Sequence, residues 1–310
     1  IHMIGIGGSG MYPLAQVLHA KGYYLTGSDN NETDTLAAVR KMGIPVMLGQ
    51  RAENIEGADL VVYSAAIAKT NPERAAAEAS GVDMMERSKL LGLVSSWYQQ
   101  AVCISGTHGK TTTSSMLAQI LYTAGVDLSA VIGGKLDCLG GSGRAGNSEA
   151  FVCEACEYVD TFLELSPDIA VILNIDEDHM EYFKTLDNLK ASFTKFADLS
   201  SRYVLYNGDD ANTCDAVASV EGKTMIRYGE GKDCEWRASD ISTNALGQTL
   251  FTVWHQTEKL GTAALNVPGR HNVLNALAAI AAASLLGLTF EQSAAGLLEF
   301  HGAKRRFEMH

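Results

Sequence analysis

The sequence predicts an α/β protein built from two nucleotide-binding units. Three observations carry this. A glycine turn, Gly5-x-Gly7-x-x-Gly10, follows the first apolar run, and a second turn ending in Lys110-Thr-Thr-Thr113 follows another apolar run about 100 residues later. Strand-sized and helix-sized apolar patterns alternate along most of the chain. Together they imply an N-terminal Rossmann-like doubly wound parallel sheet over residues 1–96 and a P-loop-type α/β ATPase domain over 97–310 carrying a small antiparallel sheet.

Composition agrees with two packed domains. The 310 residues are 46% hydrophobic and 19% charged, enough for two cores. A net charge of −12, with no basic run beyond Lys304-Arg305-Arg306, argues against a nucleic-acid or anionic-membrane surface. Six scattered cysteines and no signal peptide before the first strand fit a reducing cytoplasm. The stretch 273–290 is mostly Ala and contains Asn275 and Ser284, so it reads as a buried helix rather than a membrane span.

In the first unit the glycine turn precedes a helix over 13–20, and a second strand over 23–26 leads to Ser28-Asp29, where a ribose-binding acid belongs. Read alone, this unit fits an NAD-dependent oxidoreductase, but such an enzyme has no need of the downstream loop. A third strand over 59–64 ends in Ser64-Ala65-Ala66-Ile67, whose small side chains let backbone amides approach a ligand. Asn71-Pro72 starts the next helix, and strand–helix units continue to Val94, with a boundary at 95–100.

The second unit opens on a buried strand over 101–104, a tight turn over 105–109 and an amphipathic helix over 111–124. This is a phosphate loop. Gly106 and Gly109 let backbone N–H groups of Gly106, Thr107, His108 and Gly109 turn inward, and the helix start at Lys110, Thr111 and Thr112 adds partial positive charge. Lys110 supplies a mobile point charge and Thr111 a hydroxyl for Mg²⁺. The eight-residue version of the pattern would need glycine at Ile104, so the match is to a shorter form.

Further strands are expected at 131–134, 150–154 and 169–174, with a Gly-rich loop over 139–146. Residues past the carboxyl ends of adjacent parallel strands converge, so Lys110, Thr111, Glu154, Asn174 and His179 should face one another. Glu154 suits Mg²⁺, and His179 a second metal site; a solvated strand-end acid and a helix-cap histidine are the bland alternatives. Runs at 203–206, 224–228, 250–255 and 261–266 read as the small antiparallel sheet. Asn272 and Asn275 share one face at the start of the long Ala-rich helix, where carboxamides can read an adenine edge; helix capping by Asn272 is the structural alternative.

In order along the whole chain, Ile4-Gly-Ile-Gly-Gly-Ser-Gly-Met11, Ser28-Asp29, Ser64-Ala-Ala-Ile67, Gly106-Thr-His-Gly-Lys-Thr-Thr-Thr113, Glu154-Ala-Cys-Glu157, Asn174-Ile-Asp-Glu-Asp-His179, His271-Asn-Val-Leu-Asn275 and Arg305-Arg-Phe-Glu308 resemble the Mur ligase family. The resemblance implies that Gly7, Gly8, Ser9, Gly10, Met11, Asp29 and Ser64, Ala65, Ala66 and Ile67 hold the UDP of UDP-N-acetylmuramate. It implies ATP and Mg²⁺ in the second unit, with Lys110, Glu154, His179 and Arg306 catalytic. The implied reaction joins L-alanine to the substrate carboxylate through an acyl phosphate, in a monomer or weak homodimer.

Two departures stand out. Cys156 occupies a position where the family often has an acid, creating Cys153-x-x-Cys156, which lacks the companions of a zinc site. Phe193 stands where several members carry a carbamylated lysine, which points to the alanine-adding branch. The resemblance further implies a third, amino-acid-binding domain outside these residues, and hence little ligation by the 310-residue chain alone. A non-catalytic nucleotide-binding regulator is the third reading, disfavoured by the presence of Lys110, Glu154 and His179 together.

Overall fold

The computed structural model describes residues 1–304, so Arg306 lies outside the described residues. Its first sheet contains β1 (His2–Ile4), β2 (Thr26–Asp29), β3 (Val46–Leu48), β4 (Leu60–Tyr63) and β5 (Asp83–Glu86) in the order β3-β2-β1-β4-β5, all parallel. Helices α1 (Tyr12–Ala20), α2 (Asp34–Lys41) and α3 (Pro72–Ser80) follow β1, β2 and β4, and α4 (Arg87–Ser95) leads from β5 to the second sheet. The winding direction reverses between β1 and β4, and such a switch point opens a crevice at the carboxyl edge. The Gly5–Gly10 turn and the Ser64–Ile67 segment both leave strands that border it.

Two expectations shift here. Tyr23 and Tyr24 are exposed rather than paired, and β2 begins at Thr26, which makes Asp29 its last residue. The short strand β3 was not expected, because three residues with no buried side chain leave no periodic signal.

The second sheet has ten strands: β6 (Gln100–Ser105), β7 (Ser129–Leu136), β8 (Gly141–Arg144), β9 (Ala150–Glu154), β10 (Ile169–Ile172), β11 (Tyr203–Asn207), β12 (Thr224–Gly229), β13 (Trp236–Thr243), β14 (Thr249–His255) and β15 (Glu258–Leu265). Their order is β15-β14-β13-β12-β11-β10-β6-β9-β7-β8. Pairing is parallel from β13 to β7 and antiparallel only at the margins, β13-β14-β15 and β7-β8.

This corrects the expected small antiparallel sheet. The runs at 203–206 and 224–228 are parallel strands of the main sheet, and only β13, β14 and β15 form an antiparallel extension. Alternation reports a half-buried strand but carries no information on partner direction. The Gly-rich loop expected over 139–146 contains the edge strand β8.

Helix α5 (Lys110–Thr123) is not amphipathic, contrary to the sequence reading: every residue from Thr113 to Leu121 is buried. The reason is coverage on both sides. The sheet lies beneath it, and α9 (Arg270–Leu285) and α10 (Phe290–Leu298) lie across it, so close that a Cβ on Gly296 would sit 2.5 Å from the Ile120 Cα. The remaining helices, α6 (Met180–Phe183), α7 (Leu186–Asp198) and α8 (Ala211–Val217), lie along the middle of the chain. Gly269 precedes α9 with no side-chain cap, so Asn272 is not the capping residue. No helix among the described residues is long and apolar enough to cross a membrane.

The two sheets are joined by packing as well as by the chain. Tyr98 stacks on Phe151 with ring centroids 4.8 Å apart and donates to the Ser129 hydroxyl at 3.0 Å. Helix α4 presses on the 3-10 segment Tyr158–Glu164, where the Ser95 hydroxyl accepts from the Ser166 N–H at 3.0 Å. One continuous core cluster includes Met3, Leu14 and Leu90 from the first sheet's unit and Phe151, Phe162 and Phe193 from the second.

Candidate functional site

The phosphate loop leaves β6 and is stapled to the segment after β10. The Asn174 carboxamide accepts from the His108 N–H at 2.8 Å and donates to the His108 carbonyl at 2.9 Å. Thr107 Oγ1 accepts from the Asp176 N–H at 2.9 Å, and the Thr107 N–H donates to the Asn174 carbonyl at 3.0 Å. Gly106 and Gly109 have φ of 136° and 89°, a region L side chains avoid. Beyond conformation, a Cβ at Gly109 would lie 2.6 Å from Asn275 Oδ1, so glycine is needed for space as well.

Around this loop lies a cavity of about 420 Å³ lined by Thr107 to Thr112, Gly133, Gly134 and Ala303. Glu154, the last residue of β9, is bonded to two of these lining residues, Thr111 and Gly133. Its carboxylate accepts from Thr111 Oγ1 at 3.1 Å, Ser114 Oγ at 3.2 Å and the Gly133 N–H. A Cβ on Gly133 would fall 2.5 Å from that carboxylate. Hydroxyl and carboxylate oxygens together, beside an open cavity, are the donor set a hard divalent cation prefers. Thr111 and Glu154 therefore fit Mg²⁺.

Lys110 faces the other way. Its ammonium donates to the Gly106 carbonyl at 2.5 Å and to both oxygens of Glu157 at 2.9 and 3.1 Å. Glu157 is 1% exposed and was not singled out from sequence; nothing in its motif distinguishes a buried ion-pair partner from a solvated acid. Oxygens of Glu157 and Asp178 and a ring nitrogen of His179 all lie within 4.8 Å of one another, a second group able to hold a cation. The residues expected to face one another are thus brought to the loop in two groups. Thr111 sits with Glu154, Lys110 and His179 gather on Glu157, and Asn174 is spent on pinning His108.

Backbone strain is concentrated beside the second group. Val159 and Asp160 have φ of 53° and 58°, and His179 has φ of 55°. A β-branched residue in this region is strained by of order 1–3 kcal/mol. The strained turn brings the Tyr158 ring against the His179 ring, centroids 4.7 Å apart.

A second cavity, about 330 Å³, lies on the far side of the loop between His108, Leu173, Tyr228, His271 and Asn275. The amide pair there is oriented. Asn272 donates to the Pro268 carbonyl at 2.7 Å and accepts from Asn275 Nδ2 at 3.2 Å, which leaves Asn275 Oδ1 as the acceptor turned toward Gly109. A buried hydrogen-bonded pair with one free acceptor suits a ligand amino group.

In the first unit a cavity of about 480 Å³ opens at the switch point, lined by Gly5, Gly8, Asp29, Ser64, Ala66 and Ile67 together with Asn30, Gln50 and Asn71. Asp29 accepts from the Gly7 N–H at 3.1 Å and the Asn30 N–H at 2.8 Å, so it shapes the glycine turn. Of the other residues expected here, Met11 is buried at 3% exposure as part of the core, and Gly10 lies against Arg87, whose side chain a Cβ would meet at 3.1 Å. Gly7, Ser9, Gly10, Met11 and Ala65 do not line the cavity, whereas Asn30, Gln50 and Asn71 do and were missed.

The cysteines hold no metal geometry. Cys153 lies on β9 directly opposite Cys103 on β6, Sγ to Sγ 3.4 Å, both fully buried, and this contact together with burial pushes the Cys153 thiol well up. Cys156 is exposed.

Residues 104–283 match the model of the Mur ligase middle domain, and residues 1–98 that of the Mur ligase family catalytic domain. The whole chain aligns at 43% identity with the UDP-N-acetylmuramate–L-alanine ligase of Caldanaerobacter subterraneus subsp. tengcongensis, covering 67% of it. It aligns at 42% with that of Acetivibrio thermocellus, covering 66%. The chain therefore spans about two thirds of the length of these relatives. Among solved structures, a UDP-N-acetylmuramate–alanine ligase from Thermotoga maritima superposes with a TM-score of 0.84 at 30% identity, over 99% of this chain and 69% of that one. The UDP-N-acetylmuramate:L-alanyl-gamma-D-glutamyl-meso-diaminopimelate ligase from Neisseria meningitides superposes with a TM-score of 0.86 at 28% identity, over 98% of each chain.

Proposed function

The chain belongs to the Mur ligase family, and from that premise we propose that it forms the two nucleotide-binding domains of an ATP-dependent ligase that joins L-alanine to UDP-N-acetylmuramate in peptidoglycan precursor synthesis. The division is at about residue 96, with the UDP substrate in the first domain and ATP with Mg²⁺ in the second. A cytoplasmic location goes with these substrates. The observation that carries the reading is the seat of Glu154 against Thr111, 3.1 Å apart, at the mouth of a loop whose glycines leave room for phosphates.

The chemistry follows from charge. A substrate carboxylate must approach the γ-phosphate of ATP, and both are anionic. Thr111 and Glu154 would hold Mg²⁺, which would supply neutralising charge beside the phosphates. The N–H groups of Gly109 and the start of α5 orient the triphosphate, those of Thr107 and His108, expected from sequence to turn inward, being committed to Asn174, and Lys110 offers its ammonium to the oxygens that gain charge in the transition state. Arg306, though outside the described residues, belongs to this proposal as a second cation. Attack by a carboxylate oxygen on the γ-phosphorus breaks its bond to the bridging oxygen, releasing ADP and leaving an acyl phosphate; the amine then attacks the acyl carbon, loses a proton as the amide forms, and phosphate leaves. Asn275 Oδ1 accepts from the adenine amino group in the second cavity.

The test is phosphate release from ATP and Mg²⁺ on adding UDP-N-acetylmuramate with each amino acid in turn. The expected result is release that depends on both the UDP substrate and L-alanine. The likeness to the Neisseria structure makes the L-alanyl-γ-D-glutamyl-meso-diaminopimelate peptide the second amine to try; release with the peptide and none with L-alanine would replace the amino-acid assignment. Hydride transfer to NAD with no ATP turnover would overturn the whole reading.

A further inference from the structure

The cavity of the first domain contains two carboxamides, Asn71 and Gln50, whose hydrogen-bond polarity is fixed by the start of α3. Asn71 caps α3: its Oδ1 accepts from the Glu73 N–H at 3.0 Å and the Arg74 N–H at 3.1 Å. That use of the oxygen forces Nδ2 to point away from the helix, where it donates to Gln50 Oε1 at 2.5 Å. Asn30 Nδ2 donates to the same oxygen at 3.2 Å. Turning the Gln50 amide over would set its NH₂ against the Asn71 NH₂, whose orientation the cap fixes. Gln50 Nε2 is therefore locked as a donor, and it has no hydrogen-bond partner among the described residues, although Gln50 lines the cavity.

We infer that Gln50 is a specificity residue that selects uracil over cytosine by donating from Nε2 to the O4 carbonyl of the base. This rests on the proposal that the first domain takes a uridine diphosphate. The two pyrimidines differ at position 4, a carbonyl acceptor in uracil and an amino donor in cytosine. A carboxamide free to turn over would accept either, since it offers both a donor and an acceptor. Here Asn71, fixed by its capping role, removes that freedom, so an amino group would meet a donor and leave both unpaired. A site built to pair with one polar group rejects the analogue lacking it far more strongly than an apolar wall does.

The experiment is calorimetry of UDP and CDP with the wild type, Gln50→Glu and Gln50→Leu, with ATP binding in the second domain as a control for folding. The wild type should prefer UDP by ~10-fold or more. Gln50→Leu should bring the two within ~3-fold, and Gln50→Glu, which is isosteric and can only accept when ionised, should favour CDP. An unchanged UDP-to-CDP ratio in both variants would overturn the inference while leaving the proposed function standing. Failure of the wild type to bind UDP, with ATP still bound, would overturn the uridine assignment of the first domain and this inference with it.

Discussion

Glu157 grips Lys110 through both carboxylate oxygens, at 2.9 and 3.1 Å, from a position only 1% exposed. A buried carboxylate so engaged keeps the ammonium at the loop, although Lys110 itself has four flexible carbons. Removing Lys110 deletes a preorganised charge, so Lys110→Ala should lower turnover by ~10²-fold or more. Glu157→Gln keeps the shape and removes the charge partner. It should lower kcat by ~10-fold with little change in KM for the UDP substrate, because the lost bond orients the lysine rather than binding that substrate. Steady-state kinetics on the two variants checks both; equal rates for Glu157→Gln and wild type would mean the ion pair is only structural.

Glu154 is expected to be the residue through which Mg²⁺ strengthens ATP binding. It is the carboxylate that meets Thr111 and the Gly133 N–H, two residues that line the loop cavity, whereas His179 gathers with Glu157 and Asp178. In Glu154→Ala, calorimetry should show ATP affinity that no longer rises with added Mg²⁺. Zinc analysis of the purified protein should find none on the cysteines, because Cys153 is turned to Cys103 and not to Cys156. A Mg²⁺ dependence that survives in Glu154→Ala would shift the metal to the His179 group.

How much of this was legible in the sequence depended on whether the physical signal is local. Gly106, Gly109, Lys110 and Thr111 act within one turn, and their spacing alone specified a strand, a loop and a helix start. The placement of Glu154 beside Thr111 was legible because strand ends in a parallel sheet converge. Glu157 was not, since its role depends on burial and on a lysine 47 residues away in sequence. The carboxamides Asn30, Gln50 and Asn71 leave three different elements and meet only in the fold, so no spacing announces them. The partner direction of β11 and β12 was misread for the same reason: period two is a property of one strand, and pairing is a property of two. Likewise α5 carried no polar face because α9 and α10 cover it from more than 140 residues downstream.

Glu73 offers a test by pH. Its carboxylate is fully buried at the start of α3, accepting from Ser28 Oγ at 2.6 Å and Asn54 Nδ2 at 2.5 Å, with His2 Nε2 3.5 Å away. Burial pushes this carboxyl up, but His2, Ser28 and Asn54 outweigh it and hold it below the usual carboxylate range. A depressed folded pKa contributes stability that is fully present above the unfolded value, about 4.3, and is lost as pH falls through the folded value. Glu73→Ala should cost ~3–5 kcal/mol at pH 7, because the donors around it are left unpaired. In urea titrations, the advantage of wild type over Glu73→Gln should be constant down to about pH 5 and shrink on further acidification. An advantage that grows on acidification would mean the carboxyl is neutral in the fold.

Gly92 tests whether the two domains communicate through packing. It lies on α4, where a Cβ would fall 2.1 Å from the Glu164 carbonyl oxygen and 2.8 Å from its carbon, and both atoms are backbone. No side-chain rotation can relieve that contact, so Gly92→Ala must push α4 and the Tyr158–Glu164 segment apart. That segment holds the strained Val159 and Asp160 and follows directly on Glu157, whose carboxylate aims Lys110. Overpacking of this kind costs ~1–3 kcal/mol. Because relieving a 2.1 Å contact takes a displacement of about an ångström and Glu157 stands directly before the segment that must move, turnover should fall as well, in a variant that touches neither nucleotide. Gly141→Ala is the control, since its Cβ would meet only a ring carbon of Tyr12 at the ordinary distance of 3.7 Å. Urea unfolding and kcat measured together on the two variants separate the possibilities. Loss of stability in Gly92→Ala with full turnover in the folded fraction would show that the α4 contact is structural only and that Lys110 is aimed independently of it.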